Sequence, residues 1–143
     1  MREESFQFLK SLVEAPSPSG FEQPAQRVFR EYVSPYAQVA GDVMGNSLAR
    51  VEGAAGARAR VMLVGHSDEI GLLVKFIDDN GFIFFGAIGG VDPQITQGMR
   101  VAVHSRSGAV PGVIGKKPIH LIEPKDRDTV VKLEAQYIDI GAA

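Results

Sequence analysis

The reading of this chain turns on Arg60-Val-Met-Leu-Val-Gly-His-Ser-Asp-Glu-Ile-Gly71. Four apolar residues, Val61 to Val64, deliver a glycine and then a dense polar cluster of His66, Ser67, Asp68 and Glu69. A short, valine-rich apolar run bounded by charge and glycine predicts a buried strand rather than a helix. In α/β proteins, ligands gather just past the carboxyl ends of such strands, which is where His66 and Asp68 fall.

Residues two apart in a strand face the same side, so the His66 imidazole and the Asp68 carboxylate can be neighbours. A metal-bound histidine commonly donates its other ring N–H to a carboxylate, which fixes the tautomer and raises its basicity. The same spacing also suits a hydrogen bond that only holds a strand-to-loop junction. Spacing alone leaves both readings open. Glu69 points the other way if the strand continues, which argues against an Asp68–Glu69 glycosidase pair, whose carboxyls must stand about 5–9 Å apart across one substrate.

The surrounding composition narrows the chemistry. With 143 residues, 45% hydrophobic, 22% charged and a net charge of −2, the chain suits one domain or two small lobes. That mild acidity makes no electrostatic case for nucleic acid or an anionic membrane. No apolar run approaches the ~18 residues of a membrane span. The charged start Met-Arg-Glu-Glu-Ser does not read as a signal peptide, so a cytoplasmic protein is expected. The sequence has no cysteine, which removes disulfides, thiolate zinc sites and cysteine nucleophiles. A metal would have to use Asp, Glu or the three histidines, His66, His104 and His120.

Helical spacing of Phe6, Leu9, Leu12 and Val13 predicts a first helix from about Glu3, closed before Pro16. A second runs from Pro24 to Val33, with Ala25, Val28, Phe29, Tyr32 and Val33 on its apolar face. Pro-Ser-Pro-Ser-Gly, residues 16 to 20, reads as a turn-rich connector. Such helices need a sheet to cover. Strands are expected at Gln38–Ala40 and Ser47–Val51, around an Asp42–Asn46 turn, with a surface loop from Glu52 to Arg58.

Beyond Gly71 the pattern becomes short strands at regular spacing: Leu72–Ile77, Phe82–Ala87, Met99–His104, Ala109–Ile114 and Tyr137–Ile140. This predicts a small barrel or sandwich. Asp78-Asp-Asn-Gly81 reads as a hairpin turn because Asn-Gly tolerates positive φ; it lacks the spaced ligands of a helical calcium loop. Gly86-Ala-Ile-Gly-Gly90 lacks a phosphate-binding lysine and is expected to be a bend or bulge. Lys116 to Asp128 reads as a long mobile loop carrying His120, which is able to reach a site or to sit in solvent. His104 is expected on the surface.

Taken together, these residues resemble a known family. Gly-His-Ser-Asp-Glu-Ile-Gly (65–71) is similar to the first metal-ligand motif of the tetrahedral-type metallo-aminopeptidases, which include glutamyl and deblocking aminopeptidases, some labelled endoglucanase. The likeness continues through Pro-Ser-Gly-Phe-Glu (18–22), Asp-Val-Met-Gly-Asn (42–46), Ile-Asp-Asp-Asn-Gly-Phe-Ile (77–83) and Ile-Gly-Gly-Val-Asp-Pro (88–93). It runs on through Gly-Met-Arg-Val-Ala-Val-His (98–104), Pro-Gly-Val-Ile-Gly-Lys-Lys-Pro-Ile-His-Leu (111–121) and Tyr-Ile-Asp-Ile-Gly-Ala (137–142). Gly65 and Ser67 stand where many relatives have Ala and Met, and neither is a ligand position.

The resemblance implies an α/β fold: a partial peptidase domain of two helices on a sheet, residues 1–71, followed by an inserted, incomplete β-barrel-like dimerisation domain, residues 72–143. It implies that His66 binds one metal of a two-metal centre of zinc or cobalt, and that Asp68 is the catalytic-site carboxylate orienting it. Peptides are the implied substrates, and dimers assembling into dodecamers the implied partners. The Lys116–Asp128 loop resembles one that lies near a neighbouring active site. In the family, the bridging aspartate, the paired acidic residues and the second histidine follow the inserted domain, beyond Ala143. The 143 residues are therefore expected to bind no metal or one weakly, and to be inactive alone. The alternative is a non-catalytic oligomerisation or docking module.

Overall fold

The computed structural model describes residues 1–142, which divide into two compact units, Met1–Glu69 and the described residues from Ile70 onward. In the first unit, helix α1 (Glu3–Glu14) is followed by α2 (Gln23–Val33), with Pro24 in the first turn, where its missing N–H costs nothing. The helices meet through stacked rings of Phe8 and Tyr32, centroids 3.8 Å apart. Strands β1 (Gln38–Gly41) and β2 (Ser47–Arg50) form an antiparallel hairpin. Its turn is tied by the Asp42 carboxylate, which accepts the main-chain N–H groups of Met44 and Asn46, each at 3.0 Å.

The expected strand at Val61–Val64 does not form. Among the described residues, positions 51–69 pair with nothing except one bridge at Glu69, and Val61 to Val64 stand 83 to 93% exposed. The physical reason is the missing partner. An apolar run becomes a buried strand only where a neighbour supplies its ladder, and the β1–β2 pair ends at Gln38 and Arg50. The helices are left in the same condition, with Phe6 48%, Leu9 44% and Val13 67% exposed.

The second unit is a five-stranded antiparallel sheet, order β3-β4-β7-β6-β5, curled into a half-barrel. Its strands are β3 (Gly71–Ile77), β4 (Ile83–Ile88), β5 (Arg100–Ser105), β6 (Gly108–Lys116) and β7 (Gln136–Asp139). The alternation of side chains sorts two faces. Ile83, Phe85, Ile114 and Ile138 form the core, with Leu72, Val101, Val103, Leu133 and Ile140 packed against it. The opposite face carries Phe76 stacked on Phe84 at 4.6 Å, and Phe82 against Tyr137 at 4.4 Å.

The β3–β4 hairpin forms around Asp78–Gly81. The Asp78 carboxylate accepts the N–H groups of Asn80 and Phe82 at 3.0 and 2.8 Å, and Gly81 takes φ +84°. The glycine-rich stretch ends β4 in a bend at Gly89, φ +75°, while the register shift between Val74 and Phe76 puts a bulge on β3 at Lys75. Gly86 accommodates it: a Cβ there would come 2.7 Å from Lys75 Cε. The loop from Lys116 to Asp128 contains two 3-10 turns, Ile119–Leu121 and Pro124–Asp126. No helix among the described residues is long and apolar enough to cross a membrane.

Candidate metal centre

The geometry around His66 is built by three elements of the first unit: residues 66–69, the 16–20 connector and the start of α2. His66 Nδ1 lies 3.0 Å from Asp68 Oδ1 and 3.0 Å from the Asp68 main-chain oxygen. Both are acceptors, so Nδ1 must carry the proton and donate it. In the neutral ring this leaves the Nε2 lone pair free, and the side chain is 85% exposed. A histidine ligand presents this arrangement to a metal, with one nitrogen anchored to a carboxylate and the other available.

Asp68 is held from its other side. Its Oδ2 accepts the Ser19 hydroxyl at 2.6 Å. The Ser19 hydrogen bond, and then that from His66, hold the carboxyl below the usual aspartate range. Glu69 is turned away to the connector, where Oε1 accepts the Ser17 N–H at 3.0 Å. The main chains also join, Glu69 N–H to Ser17 O at 2.9 Å and Ser19 N–H to Glu69 O at 3.3 Å, a parallel bridge centred on Pro18 and Glu69. Ser67 accepts from Gln26 Nε2 of α2 at 2.6 Å.

The structure thus brings together His66 and Asp68. His120, on the first 3-10 turn of the long loop, and His104, on β5, are both exposed. Among the described residues there is no group of three or more His, Asp or Glu side chains placed to hold a metal. Sequence reasoning missed Ser17, Ser19 and Gln26. Their signal was present in the connector, but a Pro- and Ser-rich turn gives no hint of which distant residue its hydroxyls will meet.

The family model of the M42 glutamyl aminopeptidases matches residues 45–143, and the chain belongs to that family. It is 31% identical over 144 residues to a lysyl aminopeptidase of Pyrococcus furiosus, covering 96% of this chain and 40% of that protein. Among solved structures, the TET aminopeptidase of Thaumarchaeota archaeon SCGC AB-539-E09 superposes with a TM-score of 0.91 at 37% identity, over 98% of this chain and 39% of that one. The TET1 peptidase of Pyrococcus horikoshii, which can assemble into a tetrahedron or a large octahedral shell, gives 0.82 at 31% identity, over 96% and 40% of the two chains. The chain therefore spans about two-fifths of the length of these relatives. Peptidases of this family are metal-dependent.

Proposed function

We propose that these residues supply the first metal-binding histidine of an aminopeptidase, with His66 the ligand and Asp68 the carboxylate that orients it. The observation that supports this reading is the Nδ1 position, where two acceptors leave Nε2 as the outward-facing donor atom. When bound, a pair of divalent ions such as zinc or cobalt would polarise the scissile carbonyl and activate water. His66 would hold one of those ions through Nε2. Asp68 keeps the proton on Nδ1 and strengthens the ring as a donor. A two-metal site also needs further ligands and a general base, and among the described residues no group of three or more His, Asp or Glu side chains forms around the pair.

In this reading residues 1–71 belong to an α/β peptidase domain. Residues 72–143 serve contacts between subunits of a cytoplasmic homo-oligomer that acts on short peptides. The Lys116–Asp128 loop with His120 lies on that β-rich unit.

The test is metal content and affinity. In a chain extended through the downstream family sequence, His66→Ala should lose one bound ion and all aminopeptidase activity. Asp68→Asn should weaken metal affinity by about 10–100-fold. The 143-residue chain should bind zinc no more tightly than its His66→Ala variant in calorimetry. Unchanged metal content in the extended His66→Ala variant would refute the ligand assignment.

A second reading, a non-catalytic docking or oligomerisation module, draws on the apolar surface of the β-rich unit, where Leu73 is 60%, Phe76 55% and Ile77 62% exposed. The two separate on the coding sequence. An open frame running on into an aspartate, a Glu-Glu pair and a late histidine favours the peptidase, and a stop after Ala143 favours the module.

A further inference from the structure

The Asp68 carboxylate carries two unlike hydrogen bonds, one on each oxygen, and only one goes to His66. Oδ1 faces His66 Nδ1 at 3.0 Å, and Oδ2 accepts the Ser19 hydroxyl at 2.6 Å. An exposed aspartate beside an exposed histidine would ordinarily exchange rotamers freely, because water replaces each contact at little cost. Here the backbone on both sides of the contact is fixed. Glu69 N–H bonds to Ser17 O, Ser19 N–H bonds to Glu69 O, and the Glu69 side chain takes the N–H of Ser17, which is only 5% exposed. The Ser19 hydroxyl is thereby delivered to Asp68 from an anchored main chain. No β-ladder holds residues 51–68, so this clasp does the work that a sheet neighbour would do.

We infer that Ser19 is a positioning residue for the His66–Asp68 pair. Its hydroxyl fixes the Asp68 side chain in the one rotamer that keeps Oδ1 on Nδ1, and so keeps the Nε2 lone pair of His66 directed outward. Its relevance to metal binding rests on the function proposed above; the rotamer and tautomer control does not. Serine suits the role because its side chain is short and its O–H donates to a carboxylate, a bond stronger than a neutral pair. The Asp68 main-chain oxygen also accepts from Nδ1, so loss of Ser19 removes one of the two restraints on the ring.

The experiment is NMR on the 143-residue chain without metal, at a pH above the imidazole range. It compares wild type with Ser19→Ala, Ser19→Thr and Ser67→Ala. Asp68 χ1 couplings and the His66 ring 15N shifts are read, with the α1, α2 and β1–β2 amide pattern as the control for folding of the first unit. Wild type and Ser19→Thr should show single-rotamer couplings at Asp68 and a protonated-type Nδ1. Ser19→Ala should show averaged couplings, and its Nδ1 resonance should move toward the unprotonated region. Ser67→Ala loosens the same segment through Gln26 without touching Asp68, and should resemble wild type. Unaveraged Asp68 couplings in Ser19→Ala, an unmoved Nδ1 resonance, or an equal change in Ser67→Ala would each overturn the inference. Because no metal is present, these outcomes are independent of whether His66 proves to be a ligand.

Discussion

Gln136 and Thr96, forty positions apart, meet inside the β-rich unit through a 2.7 Å hydrogen bond from the Thr96 hydroxyl to Gln136 Oε1. The Gln136 amide is fully used, because its Nε2 donates to Pro93 O at 3.1 Å and to Val131 O at 3.0 Å. Gln136 is 0% and Thr96 3% exposed, so water cannot replace what either gives. The pair clips two irregular stretches, before β5 and before β7, onto the sheet. Gln136→Ala takes the Nε2 donor from Val131 O, leaves Pro93 O only the Thr96 hydroxyl at 3.0 Å, and opens a void beside them, and should cost about 2–4 kcal/mol. Thr96→Val leaves Oε1 unpaired and should cost about 1–2 kcal/mol. The double variant should lose less than the sum, since both act on one network. Urea midpoints with an unchanged slope would check all three.

Gly112 is required by the closeness of β6 to β7. A Cβ there would sit 2.5 Å from Ile138 Cγ2 and 3.2 Å from Asp139 O. Ile138 is only 3% exposed and has nowhere to move. Gly112→Ala should destabilise the sheet by about 1–3 kcal/mol. Gly115→Ala meets the Tyr137 ring at 2.7 Å on the less buried face, where the ring can swing, and should cost less. Hydrogen exchange of β6 and β7 amides would rank the two.

The Asp42 turn sets a pH dependence. The Asn46 side-chain amide at 2.7 Å, and then the turn's main-chain N–H groups, hold the Asp42 carboxyl below its ordinary value. A folded-state pKa below the unfolded one means the contribution is fully present above the unfolded value of about 3.9 and is lost as pH falls through the folded value. The β1–β2 hairpin should therefore loosen only below about pH 4. Carboxyl 13C titration should place Asp42 below an ordinary solvated aspartate, and Asn46→Ala should move it back up.

The exposed run Val61-Met62-Leu63-Val64 should make the chain associate as its concentration rises, since an unpaired apolar segment invites pairing with another copy. Met62→Lys together with Val64→Lys should lower the weight-average mass in sedimentation equilibrium. A monomer at all concentrations, or no response to the lysines, would refute this.

Much of the local structure was legible in the residues. Both helices begin within a residue of the expected start, because Pro24 and the charged Glu3–Glu4 turn mark helix entry by rules that need no tertiary contact. The five strands after Gly71 fall at the expected places, because alternation and Asp-Asn-Gly turn chemistry are written into short windows. The bulge at Lys75 escaped notice, since it depends on which strand yields when both are paired. The Val61–Val64 strand failed for the opposite reason: its pattern states a demand for burial that no neighbour among the described residues meets.

Sequence by itself determined that His66 and Asp68 lie two residues apart past an apolar run, and its resemblance pointed to the metallo-aminopeptidase family. The tertiary structure decided how that pair is held. Nothing in the order of residues says that the Ser19 hydroxyl meets Asp68 across 49 positions, that Glu69 reaches back to the Ser17 N–H, or that Gln136 takes the Thr96 hydroxyl in the interior. Period and turn chemistry are local and read within a few residues. A hydrogen bond between distant polar groups exists only once the intervening chain has folded back and brought them within reach.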